Sequence, residues 1–137
     1  MDKTVLVAPD QDRIQRGSEL LAAAGKAGFP IHAALWLYTS ERYGDWRLVI
    51  ASPLVDQKGP LAAYRKLNGI LRKIRPDLIL WLQYIQLVSP KDALIRDLDK
   101  TYFQREATPR ISSLSGSTAG NTYIEQAHLY WPQETTG

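Results

Sequence analysis

The sequence predicts an α+β fold, an antiparallel sheet with helices on one face. Three observations carry that expectation. Stretches that alternate with a period of two are interspersed with stretches that repeat every three or four residues. Gly and Pro punctuate most changes of pattern, as at Gly28, Pro53, Pro60, Pro76 and Pro90. The resulting order is strand, helix, strand, strand, helix, strand, then a further helix and a β-hairpin. Its first six elements have the ferredoxin-like βαββαβ order.

Residues 5–8, Val-Leu-Val-Ala, read as a short strand closed by Pro9. Asp10 is a candidate N-cap for a helix reaching Ala27, with Ile14, Ser18, Leu21 and Ala24 as its stripe. Gly28 can stop that helix in a left-handed conformation, and Pro30 follows it. Residues 31–39 alternate as a strand: Ile31, Ala33, Leu35 and Leu37 on one face, His32, Ala34, Trp36 and Tyr38 on the other. After a turn at 41–45, residues 46–51 return. Pairing Ser40 with Asp45 would set Tyr38 opposite Arg47 and Trp36 opposite Val49, giving Leu35, Leu37, Leu48 and Ile50 a common core face.

Pro53 ends the strand, and a loop is expected through Gly59. Pro60 suits the first position of a helix reaching Arg75. Leu61, Tyr64, Leu67, Leu71 and Ile74 share one side of it; Arg65, Lys66, Arg72 and Lys73 share the other. Pro76 stops it. Residues 78–82, Leu-Ile-Leu-Trp-Leu, are apolar on both faces, as in an interior strand. Ser89 is the expected cap of the next helix, with Asp92 three residues on and Leu94, Ile95, Leu98 and Tyr102 facing inward. A short strand at 110–114, a flexible turn at 115–121 and a final strand at 122–131 complete a single domain of 137 residues. Residues 131–137 are expected to form a loose tail.

The chain contains no cysteine, which excludes disulfides, thiolate metal sites and a cysteine nucleophile. It carries no phosphate-loop, dinucleotide, zinc or nucleophile-elbow signature. No cofactor is therefore expected. The N-terminus lacks a signal-peptide pattern, and no apolar run approaches the roughly 20 residues of a membrane span. These features lead to the expectation of a cytoplasmic protein without a membrane role.

The net charge of +3 is unevenly spread. Residues 58–75 hold six basic and no acidic residues, so the whole excess resides there. Arg65, Lys66, Arg72 and Lys73 are thus candidate contacts for nucleic-acid phosphates, although no base-reading motif accompanies them. On the first hairpin, His32, Trp36, Tyr38 and Arg47 are a candidate binding surface. Aromatics on a sheet face can stack bases, but large aromatics serve more often as core or interface. His32 and His128 could act as acid and base, yet neither is followed two residues later by the Ser or Thr of two-histidine phosphoesterases. No carboxylate pair has catalytic geometry, since Asp97 and Asp99 point apart on a helix and Asp92 serves as a cap. The expected role is a non-catalytic accessory module acting through protein–protein contact, a homodimer included. Nucleic-acid binding by the helix at 60–75 is the alternative.

Overall fold

The computed structural model describes residues 11–39, 45–101 and 113–130. The strand expected at residues 5–8 lies outside them, as does the tail. In chain order the elements are α1 (Gln11–Lys26), β1 (Ala33–Thr39), β2 (Asp45–Ala51), α2 (Leu54–Lys58), α3 (Pro60–Ile74), a 3-10 segment (Pro76–Tyr84), β3 (Ile85–Val88), α4 (Ala93–Thr101), β4 (Ser113–Ala119) and β5 (Thr122–Tyr130). The five strands form one open sheet in the order β3-β2-β1-β5-β4.

The sheet is α+β as expected but mixed, not antiparallel. β3 runs parallel to β2, whereas the other pairs are antiparallel. A parallel neighbour needs a long crossover, and α2, α3 and the 3-10 segment supply it. The ferredoxin-like order is not confirmed. Helices also cover both faces: α1 and α3 pack on the side of Trp36, while Leu94, Ile95 and Leu98 of α4 pack on the side of Leu35 and Leu37.

The first hairpin is registered one residue away from expectation. Trp36 pairs with Leu48, Ala34 with Ile50, and Tyr38 with Trp46. Leu48 and Ile50 therefore join Trp36, not Leu35 and Leu37. With apolar cover on both sides, alternation does not distinguish the two registers. Packing does, because the bulky set of Trp36, Trp46, Leu48 and Ile50 fills the thicker layer beneath two helices.

The run at 76–84 is helical, so the strand expected at 78–82 is corrected. In a 3-10 helix residues three apart eclipse one another. Leu78, Trp81 and Tyr84 accordingly turn toward the core, and Leu80 and Gln83 are exposed. Trp81 and Tyr84 meet Trp36 edge-on at ring-centroid distances of 6.2 and 6.3 Å.

Local chemistry explains the remaining differences. Leu54 is buried and its N–H donates to Ser52 Oγ, which turns the expected loop into α2. Asp92, not Ser89, caps α4: its carboxylate accepts the Leu94 N–H, and its carbonyl accepts the first helical bond from Arg96. On α3 the buried positions are Ala63, Leu67 and Leu71, while Leu61 and Ile74 are exposed. β4 continues through the small polar residues to Ala119, and the turn is only Gly120-Asn121. Gly120 has φ +59°, and an added Cβ would lie 2.7 Å from the α4 backbone at Ala93 and Leu94. Its N–H donates to Asp97 Oδ2 at 2.7 Å, fastening the hairpin tip to α4.

α1 is seated unusually close to the sheet. The Trp36 indole donates to the Arg13 carbonyl at 3.0 Å, and the Tyr130 hydroxyl donates to the Ile14 carbonyl at 2.8 Å. Gly17 lies directly above both donors; a Cβ there would stand 2.5 Å from Tyr130 Oη and 2.7 Å from Trp36 Nε1. Neither ring can retreat, because both are buried. Gly17→Ala is expected to lower stability by about 2 kcal/mol, as overpacking and weakened hydrogen bonds outweigh the roughly 1 kcal/mol of helix propensity gained. Urea denaturation measures this, and a variant as stable as the parent would contradict it.

Candidate functional site

The four residues expected to form a sheet-face surface do not converge. Trp36 is 1% exposed beneath α1 and the 3-10 segment, which places it in the core, the commoner role of a large aromatic. Tyr38 is half-buried against Trp46, with ring centroids 5.3 Å apart. Arg47 pairs with Leu37 and so lies on the opposite face from Trp36. His32 precedes β1 and is exposed, with Nε2 2.7 Å from Asp99 Oδ2 of α4. His128 pairs with Trp36 on the other side of the sheet. The two histidines are thus engaged on different faces. No group of three or more His, Asp or Glu among the described residues could hold a metal ion. No helix among them is long and apolar enough to cross a membrane.

The four cations of α3 are all exposed, and among the described residues none forms an ion pair. They divide into two pairs. Lys66 and Lys73, two turns or about 10.5 Å apart, line a groove between α3 and α1. Arg65 and Arg72 stand outside that groove, where Arg72 Nε donates to Asn68 Oδ1 at 3.3 Å.

The groove is open to solvent and has an apolar floor. One stretch, about 360 Å³, is lined by Ala27, Lys66, Gly69, Ile70, Lys73 and Ile74. A second, about 320 Å³, is lined by Glu19, Ala22, Ala23, Lys26, Ile74 and Arg75. Ile74 belongs to both and is 45% exposed, which makes it the apolar centre of the surface. It escapes burial because α3 ends there, ahead of Pro76. Gly69 lies in the middle of α3, with nothing within 4 Å of where its Cβ would be. A mid-helix glycine costs about 1 kcal/mol relative to alanine, and no packing contact accounts for that cost here.

One end of the groove is closed by a charge network. Arg75 donates to Glu19 Oε1 at 2.9 Å and forms a two-point contact with Asp77 at 3.0 and 2.7 Å. Glu19 also accepts from Gln15 and Arg16 at 3.0 Å each. These partners, first Gln15 and then Arg75, hold the Glu19 carboxyl down at about 2. Arg75 likewise lowers Asp77, and hydrogen bonds from Arg75 to Asp77 and Glu19 raise the Arg75 pKa. Arg75 is therefore neutralised locally, whereas Lys26, Lys66 and Lys73 stand at the rim with no carboxylate partner among the described residues.

No family model matches the chain, and no curated protein or solved structure matches it. The charge excess at 58–75 marks α3 in the sequence, but not Lys26 or the alanines of α1, which join the surface only through helix packing. Gly69 between Lys66 and Lys73 was the available signal, a helix-weakening residue in the middle of a basic face.

The carboxylate network has a predictable acid response. A group with a lowered folded pKa stabilises above its unfolded value and loses that contribution as pH falls through the folded value. For Glu19 the window runs from 4.5 down to about 2. Thermal stability should fall across that range, and the fall should be shallower in Glu19→Gln. Parallel curves for the two proteins would show that the network contributes nothing to folding.

Proposed function

We propose that this chain is a non-catalytic binding module acting through protein–protein contact, with the α1–α3 layer as its docking surface. The observation that supports the reading is one groove combining an apolar floor, centred on Ile70 and Ile74, with a cationic rim of Lys26, Lys66 and Lys73, none of which forms an ion pair among the described residues. Apolar area removed from water by a partner supplies affinity, roughly 25 cal/mol per Å² before the costs of association. Rim charges add orientation and association rate. A protein surface can satisfy both parts at once.

Nucleic-acid binding by Arg65, Lys66, Arg72 and Lys73 is the second reading, favoured by the exposure of all four cations. Phosphates would use the charges and leave the apolar floor idle.

The two readings weight the cations differently. Under protein docking, Lys66→Glu with Lys73→Glu abolishes cross-linking to a protein partner in cells of origin, and Arg65→Glu with Arg72→Glu leaves it nearly intact. Under nucleic-acid binding, the native chain binds a 20-base-pair duplex with a steep salt dependence, and the arginine pair matters at least as much. Duplex binding lost in the arginine variant, with no lysine-dependent protein adduct, would overturn the proposal.

A further inference from the structure

We infer, resting on the α1–α3 layer as a protein-docking surface, that the groove's occupant is an amphipathic α-helix with acidic flanks. Shape argues for a helix. From Lys66 to Ile74 the α3 wall spans about 12 Å, and from Ala22 to Lys26 the α1 wall spans about 6 Å, with Ala27 just beyond its end. That length suits two to three helical turns, carrying apolar anchors at i, i+4 and i+7. An extended peptide gains its affinity from ladder hydrogen bonds to an exposed strand edge, and both walls here are helices, which present no such edge.

Close approach argues the same way. Among Gly17, Gly28, Gly59, Gly69, Gly116 and Gly120, only Gly69 has neither a left-handed φ nor a neighbour within 4 Å. Its bare backbone lowers the α3 wall between Lys66 and Lys73, so a partner side chain can reach Ile70 and Ile74. Charge completes the assignment. Lys26 stands on the α1 side, Lys66 and Lys73 on the α3 side, and Arg75 with its two carboxylates closes the end. A partner helix flanked by Asp or Glu on both edges of its apolar stripe would meet a lysine on each side. A second copy of this chain offers no such complement at this surface, because its own groove carries the same rim cations.

The test is selection of binders to the intact chain from a displayed library of random 16-residue peptides, with ¹⁵N chemical-shift mapping of the winners. The expected winners carry an apolar i, i+4, i+7 stripe between acidic residues and become helical on binding. They shift the amides of Lys66, Gly69, Ile70 and Ile74. Gly69→Leu, which fills the seat, should weaken them at least tenfold, while Gly69→Ala keeps the fold and raises the melting temperature. Winners that seat in the groove but are extended or basic would overturn the helix assignment and leave the docking surface standing. Winners that all map elsewhere, or no winners at all, would overturn both. A 20-base-pair duplex that shifts these amides when no peptide does would give the groove to nucleic acid and refute the inference.

Discussion

Two aromatic side chains hold α1 to the sheet by donating into its own backbone. The Arg13 and Ile14 carbonyls accept from Trp36 and Tyr130 in addition to their places in the helix. This requires the helix axis to come closer than any side chain at position 17 would permit, and Gly17 meets that requirement. The polar edges of two large rings are thereby satisfied in an apolar layer, where an unpaired donor would be costly. Once α1 is fixed, the space beneath it determines what else must fill it: Trp81 and Tyr84 from the 3-10 segment, and Leu67 and Leu71 from α3.

The same constraint directs the outer surface. With the aromatic side of the sheet sealed by α1 and α3, Trp36 is a structural residue and the exposed faces of those helices become the accessible surface. Arg75 reaches across to Glu19 and sets the two helices side by side. The channel left between them has small residues on the α1 side and lysines on both rims. The hairpin face that aromatic composition brings to attention is the core, and the basic helix that composition marks by charge is the surface.

The sequence is legible where one face of an element meets water. α1 and α3 have a polar side, so their period and ends can be read: Pro60 begins α3, and Gly28, at φ +93°, ends α1 as expected. It is illegible where both sides are buried. Leu78 to Leu82 is apolar throughout, so period two and period three fit equally well, and the three-residue spacing of Leu78, Trp81 and Tyr84 becomes meaningful only against Trp36. The register of β1 on β2 fails for the same reason. Small polar residues mislead in the opposite direction: the serines of β4 suggest a loop, yet pairing with β5 extends the strand to Ala119. For the candidate site, the cations were visible and their division was not, because only packing against α1 separates Lys66 and Lys73 from Arg65 and Arg72.

Exchange of the Trp36 indole hydrogen with solvent, followed by ¹⁵N NMR under native conditions, tests the central claim most directly. If α1 is seated on the sheet as described, that hydrogen exchanges only through global unfolding, and its protection matches the free energy of denaturation. Exchange at the rate of a free indole, in a protein that is otherwise folded, would mean that α1 does not cover Trp36 and that the groove has no fixed wall.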